Sequence, residues 1–543
     1  MRQVLLKPKQ LEKLAFGLAR KPKSQFFKLF GYIGWLVLTT NLFAGDIPIR
    51  KGGSLQSLYT SLDPTSVAQH FAFYELYPDT PLGKTALRHA WDLLHGNQNP
   101  EILPSIDLHP IITFVNRLPD PQNAPLLPEE QLQTIEKLGS RLKNRSLQGF
   151  GLWDFKLLKS LPPHEIDLAR ALFLSEMQEG SAEAQLKVRS YEAHIDLMAL
   201  QILARLSEHP APKEKIRAIN DYIFGEMRFR FPPHSLYAKD IDVYTLLPSV
   251  LDGRRGVCLG VSILYLCLAQ RLDLPLEAIT PPGHIYVRYA DPQTQELINI
   301  ETTARGIDMP SEIYLGMDTL KLPKRNLREV IGLAFMNQAS VGWHRKDFLT
   351  TIKLYEQAKE FMPDDYLLNM FLGYNYLFAG RIQEGTDLLK KIQGHHPDHM
   401  ISEDNVSEDY LAGKMDPDAI LAIYSQIDEK RSSILEKQQT LEEVVRKFPE
   451  FRQGILHLAV THLQLGREKE ALPLLEQYIA LDPNDPTVNY YLSAIYFQRF
   501  NYVNAWKYLC QAEKIVFSKN HHPRALKELR QELQRACPEP STL

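Results

Sequence analysis

Cysteine is scarce in this chain, with only Cys258, Cys267, Cys510 and Cys537 in 543 residues. So few exclude a disulfide framework, and each must be read for its own chemistry. An excess of charge of one sign is also missing: 62 Lys and Arg stand against 65 Asp and Glu. Without a strongly basic balance the chain lacks the electrostatic footprint of a polynucleotide-binding protein, and no nucleic acid is expected as a partner. The G-x-x-x-x-G-K-[ST] loop that cradles nucleotide phosphates is absent as well. Hydrophobic residues at 44%, aromatics at 10% and charged residues at 23% sit near globular averages, so neither wholesale disorder nor a multi-span membrane protein fits. At roughly 150 residues per domain, this length implies three to four domains.

Metal-ligand spacing is lacking too. His395-His396 and His521-His522 are adjacent pairs, and neighbours on a helix point about 100° apart, so they read as solvated loop residues before Pro397 and Pro523. Asp240 and Asp242 resemble the start of a calcium loop, but Tyr244, Thr245 and Leu251 occupy its third-ligand, glycine and closing positions. Neither a metal nor another cofactor is expected.

Charge is lopsided only at the start, where Arg2, Lys7, Lys9, Lys13, Arg20, Lys21, Lys23 and Lys28 face Glu12 alone. The uncharged run Leu29 to Gly45 follows, 17 residues long, between the length of a signal-peptide core and a minimal spanning helix. Ala44 suits a cleavage site, whereas Leu42, two positions earlier, is large for the A-x-A pattern. Residues 1–45 therefore read as a cleaved signal peptide or a retained membrane anchor, with an ordinary amphipathic segment as the remaining alternative. Export to a periplasmic or membrane-anchored location is expected rather than a cytoplasmic one.

Residues 46–199 read as helical, with stretches such as SVAQHFAFYELY and EIDLARALFLSEM repeating apolar residues every three or four positions, and a proline-rich break from Leu118 to Pro128. In the C-terminal part, Pro363, Pro397, Pro449 and Pro483 close helical segments at spacings of 34, 52 and 34 residues. The best copy of the unit, FRQGILHLAVTHLQLGREKEALPLLEQYIALDP, has Leu458 and Ala459 in its first helix, Gly466 at the turn and Ala471 in the second. Leu492 and Ala505 recur 34 positions on, joined by Tyr496 and Ala512, and the copy ending at Pro397 has Leu372, Gly373 and Tyr376. The copies ending at Pro363 and Pro449 are degenerate. A 34-residue helix-turn-helix unit ending in proline resembles the tetratricopeptide repeat, TPR, whose arrays bind peptides or proteins. Because such repeats contact only their neighbours, residues 326–543 are expected to fold as a separate unit.

The central stretch RRGVCLGVSILYLCLAQRLDLPL places Cys258 just before an apolar helix buried nearly all round. At a helix N-terminus the free N–H groups and the dipole shift a thiol toward thiolate. Cys267, inside that helix, reads as inert core. His284 opens PPGHIYVRYADPQTQELINIETT, which alternates as a β-hairpin. A four-residue turn over Asp291 to Thr294 would pair Val287 with Ile298, Ile285 with Ile300 and His284 with Glu301. A thiol, an imidazole and an orienting carboxylate are the parts of nucleophilic cysteine catalysis, and the Cys258 N–H would help hold an oxyanion.

GVC before a buried helix, GH opening a strand and an acid ending the next resemble the transglutaminase-like superfamily, with its papain-like cysteine fold. The likeness is closest to a bacterial branch whose members often end in TPRs. The resemblance implies an α+β transglutaminase-like domain over residues 200–325 within a mainly α chain, followed by a TPR α-solenoid over 326–543. It further implies that Cys258 is the nucleophile, His284 the general base and acid, and Glu301 the orienting residue. Asp is commoner than Glu at that third position, and Asn299, on the same strand face, is a possible auxiliary or substitute. The expected activity is thiol-dependent hydrolysis or acyl transfer at an amide or peptide bond. The alternative is an inactive transglutaminase-like fold within a TPR scaffold.

Overall fold

A computed structural model describes residues 55–96, 103–122, 126–177, 181–232, 241–395, 397–402, 405–427 and 430–540. The segment read as an export signal or anchor lies outside them. Among the described residues no helix is long and apolar enough to cross a membrane.

Short capped helices build the N-terminal region. Ser66, Thr80 and Asp167 each accept a hydrogen bond from a backbone N–H three residues on and start the helices Val67–Leu76, Pro81–His95 and Leu168–Glu176. They pack around a longer helix, α1 (Ala182–Leu203), whose residues from Ser190 to Ile202 are all buried. Burial on every side requires its charges to be paired: Glu192 meets Arg170, and Asp196 meets Arg145 and Arg271. Position 199/200, the boundary drawn from sequence, falls inside this continuous helix.

The apolar helix of the central region is α2 (Cys258–Arg271), buried from Leu259 to Ala269 and packed against α1. Gly260 belongs there because a Cβ would lie 2.2 Å from the Tyr244 carbonyl oxygen, which accepts the Val257 N–H at 3.0 Å. That close approach fixes where the helix starts. A five-stranded antiparallel sheet of order β4-β3-β2-β1-β5 lies beside it, formed by β1 (Glu277–Ile279), β2 (Tyr286–Ala290), β3 (Leu297–Glu301), β4 (Ile307–Asp308) and β5 (Lys324–Arg325).

The β2–β3 hairpin corrects the register expected from sequence. Val287 pairs with Ile300 and Tyr289 with Ile298, two residues away from the pairing deduced for a four-residue turn. The turn spans Asp291 to Glu296 instead, with the Asp291 carboxylate accepting the N–H groups of Gln293 and Thr294, and Gln295 left-handed at φ 60°. A two-residue shift preserves which side chains share a face, because alternation has a period of two. His284 and Glu301 thus keep the same face but become diagonal rather than direct neighbours.

Helices α3 (Leu327–His344), α4 (Phe348–Phe361), α5 (Tyr366–Phe378) and α6 (Ile382–Ile392) pair in sequence, as do α7 (Arg452–Gln464) with α8 (Glu468–Leu481) and α9 (Pro486–Gln498) with α10 (Tyr502–Phe517). This is the stacked helix-hairpin arrangement of a TPR array. Lys346, Gly380, Gly466 and Phe500 hold φ of 59°, 78°, 69° and 58° at the corresponding place in each inter-helix turn. The copy ending at Pro363, degenerate in sequence, is nonetheless a complete helix pair. Between Pro397 and Pro449, where the spacing is 52, three helices replace two: Asn405–Leu411, Pro417–Tyr424 and Arg431–Lys447. Small residues recur where helices cross, since a Cβ on Gly385 would lie 2.8 Å from the Gly373 carbonyl oxygen.

The array shares its packing with the rest of the chain. One hydrophobic core includes Phe71 and Leu172 of the N-terminal helices, Leu264 of α2, Phe335 of α3 and Leu458 of α7. α3 packs on both α2 and the helix Leu168–Glu176. A second core joins Met317, from the segment after the sheet, to the last two repeats. That segment is tied down by Ile401 N–H donating to Asp318 O at 3.0 Å and Leu320 N–H to His399 O at 2.9 Å. His521, expected in solvent, is buried there with Nε2 2.8 Å from the Gly316 carbonyl oxygen.

Candidate active site

Cys258 is the first residue of α2 and is half-buried, with Val257 as an N-cap that offers no side-chain bond. His284 follows a tight turn in which its N–H donates to Pro281 O at 3.0 Å and Gly283 has φ 66°, so the ring enters from just before β2. Glu301 ends β3 and is buried. The three side chains meet: His284 Nε2 lies 2.7 Å from Glu301 Oε2, and the Cys258 side chain hydrogen-bonds the same ring. With Nε2 committed to Glu301, Nδ1 is the nitrogen left for the thiol.

Electrostatics follow from this line of contacts. Burial alone would push the His284 imidazolium down, but hydrogen bonds to Cys258 and Glu301 outweigh it and raise its pKa to about 10. Burial would push the Glu301 carboxyl up, yet bonds from His284, Thr303 and Tyr314 bring it down to about 2. The pair is thus charged at neutral pH. Cys267 is buried inside α2, and burial pushes its thiol well up. Burial followed by the Glu539 hydrogen bond raises the Cys510 thiol to about 11.

Asn299 does not share the imidazole. Its Oδ1 accepts from Arg288 Nε at 2.8 Å, and its Nδ2 donates to Met309 O and Ser311 Oγ at 2.7 and 3.0 Å. Those bonds occupy its side chain in joining β2 and β3 to the following loop.

Two residues that sequence reasoning did not single out complete the site. Thr303 donates to Glu301 Oε1 through its N–H at 3.0 Å and its hydroxyl at 2.6 Å. Tyr314 donates its hydroxyl to Glu301 Oε2 while its ring stacks on His284 at 5.7 Å and Tyr286 at 5.0 Å. Tyr314 comes from a single 3-10 turn, Ser311–Tyr314, where no periodic pattern marks it. Thr303 had a local signal, because an acid followed by two threonines can bond its own backbone. Ser262 Oγ and Thr302 Oγ1, 3.0 Å apart, tie α2 to the turn after β3. Among the described residues no three His, Cys, Asp or Glu side chains cluster to hold a metal ion.

Residues 189–314, from within α1 to Tyr314, match the family model described as the transglutaminase-like superfamily. No curated protein matches the chain. Among solved structures, a thermophilic TPR protein of Thermus thermophilus is similar at 16% identity over 38% of this chain and 98% of its own, with a TM-score of 0.19. Yeast Tom70 is similar at 11% identity over 89% of this chain and 86% of its own, with a TM-score of 0.22. The repeat assignment stands on the helix pairing and the turn spacing. With its residues 189–314, this chain carries a domain of the transglutaminase-like superfamily, set between N-terminal helices and a TPR array.

Proposed function

We propose that the protein is an exported, cysteine-dependent enzyme of the transglutaminase-like class that cleaves or transfers the acyl group of an amide, with the repeats binding the protein or peptide that presents it. The observation that carries this reading is the hydrogen-bonded line Cys258, His284, Glu301. A thiolate at the start of α2 attacks the amide carbonyl, and the N–H groups of the first helical turn, that of Cys258 included, stabilise the oxyanion. The His284 imidazolium gives its proton to the departing amine, leaving a thioester and a neutral imidazole. The imidazole then takes a proton from water, for hydrolysis, or from a second amine, for transfer, and that nucleophile releases Cys258. Glu301 holds the ring in one tautomer throughout. Export rests on the basic, then apolar, first 45 residues.

Competitive thiol labelling of the folded protein near pH 6, read by mass spectrometry at each cysteine, tests the reading. Cys258 should alkylate at least about tenfold faster than Cys267, Cys510 and Cys537, because a free thiol, with a pKa of about 8.5, is almost wholly protonated there. Equal slow labelling of all four would leave the domain as a non-catalytic binding platform. N-terminal sequencing and fractionation address export, and a soluble cytosolic product beginning at Met1 would rule it out.

A further inference from the structure

Next to the start of α2 lies a groove of about 590 Å³, within the size range of ligand pockets, lined by Arg228, Arg230, Arg254 and Arg255. Among the described residues the one carboxylate on its wall, Glu226, is already bound by Arg205 through two hydrogen bonds. Arg230 and Arg254 direct their guanidinium groups at backbone carbonyls, Phe224 and Phe229 for the first, Arg117 and Met227 for the second. None of the four forms an ion pair with a carboxylate among the described residues. Burial, and after it the charges of Arg305 and Arg228, push the Arg230 guanidinium down, as expected where cations crowd one another. Arg228, Arg254 and Arg305 also hold left-handed backbone, at φ of 57°, 47° and 61°, where glycine would be cheapest. Of these, Arg228 and Arg254 line the groove, and Arg228 makes no ion pair among the described residues; packing alone does not require arginine at such a strained, exposed position.

The groove belongs to the neighbourhood of the thiol. Arg255 is three residues before Cys258, within about 11 Å along the chain. Gly256 N–H donates to Arg230 O at 3.2 Å, and Arg305 stands in the turn closed by Gly306 N–H on Glu301 O at 2.9 Å. Leu118 and Phe231 add apolar wall.

Building on the cysteine reading, we infer that this groove is a substrate subsite for an anionic side group, carried by a peptide close to the amide presented to Cys258. Arg228 and Arg255, both exposed, would bind that group, because the guanidinium fork matches a carboxylate or phosphate bidentately.

Binding is measured on the full chain carrying Cys258→Ala, by fluorescence anisotropy with three labelled hexapeptides alike except for one position: glutamate, phosphoserine or glutamine. The glutamate or phosphoserine peptide should bind about tenfold or more tighter than the glutamine peptide, the worth of a charge-assisted hydrogen bond or two, and the tighter of the two identifies the group. Arg228→Gln with Arg255→Gln should abolish the preference, and Arg88→Gln, at an exposed site in the N-terminal region, should keep it. Equal binding of all three peptides, or a preference that survives the double substitution, overturns the subsite. A second measurement uses the thiol itself. The ratio of alkylation by iodoacetate to that by iodoacetamide at Cys258 should fall at least about threefold on Arg228→Gln with Arg255→Gln while the ratio at Cys537 stays unchanged, because the arginines attract the anionic reagent and the His284 imidazolium is common to both chains. An unchanged ratio at Cys258 sinks the subsite alone, whereas no reaction of Cys258 with either reagent sinks the cysteine reading on which it rests.

Discussion

His284 and Glu301 each hold the other in its charged form, and the pH dependence follows from the direction of each shift. The imidazolium is raised from 6.5 to about 10, so its contribution to stability is complete below pH 6.5 and is lost as pH rises through 10. The carboxylate is lowered from 4.5 to about 2, so its contribution is complete above pH 4.5 and is lost as pH falls through 2. The difference in melting temperature between wild type and Glu301→Gln should therefore be largest between pH 4.5 and 6.5 and shrink on both sides. A difference constant from pH 3 to 9 would show that the pair is not ionised as described. Tyr314→Phe asks a narrower question, since it keeps the ring stacked on His284 and removes only the donor to Glu301. Hydrogen bonds to charged groups contribute roughly 1.5 to 3 kcal/mol, so urea unfolding at pH 6 should show a loss of about 2 kcal/mol. An unchanged midpoint would mean that water replaces the hydroxyl. The triad residues were legible because each carries a chemical type at a recognisable place. Tyr314 was not, because only the return of the chain after β4 brings it to the site.

At the scale of the element, the repeat period can be tested at its turns. Gly380 and Gly466 occupy left-handed backbone that Lys346 and Phe500 share in the neighbouring repeats. Left-handed conformation costs an L-residue roughly 1 to 2 kcal/mol, partly offset by the entropy that glycine loses on folding. Gly466→Ala should thus lower stability by about 1 kcal/mol, while Lys346→Gly should raise it by about 0.5 kcal/mol; urea unfolding of the two variants reads both. Equal effects of the same sign would deny that these turns correspond. The hairpin gives the complementary lesson. Alternation set which residues of β2 and β3 share a face, but the register depended on a turn lengthened by Gln295 and Glu296, whose left-handed step no local pattern announced. The edge strands β4 and β5, two residues each, were too short to leave a periodic signal.

For the whole molecule, the shared core decides how the parts behave when separated. α3 buries Val330, Ile331, Ala334 and Phe335, and Met317 belongs to the core of the last repeats. A fragment of residues 326–543 would expose the first surface and lose the second contact. It should bind a hydrophobic dye and melt at a lower temperature than the same helices in the full chain, followed by circular dichroism. A fragment that melts at the full-chain temperature without binding dye would restore the view of a self-sufficient array.

The sequence by itself determined the mainly helical chain, the 34-residue repeat, the buried helix headed by Cys258 and the identity of the three polar residues that meet. These are properties of periodicity, composition and chemical type, all of them local. Tertiary structure decided the rest. The register was set by a turn whose geometry depends on hydrogen bonds to Asp291. The choice of Glu301 over Asn299 followed from the bonds that Arg288, Met309 and Ser311 make to the amide. The union of three sequence regions in one core arose because apolar faces bury against whatever neighbour the packing supplies, and a one-dimensional pattern marks a face without naming its partner.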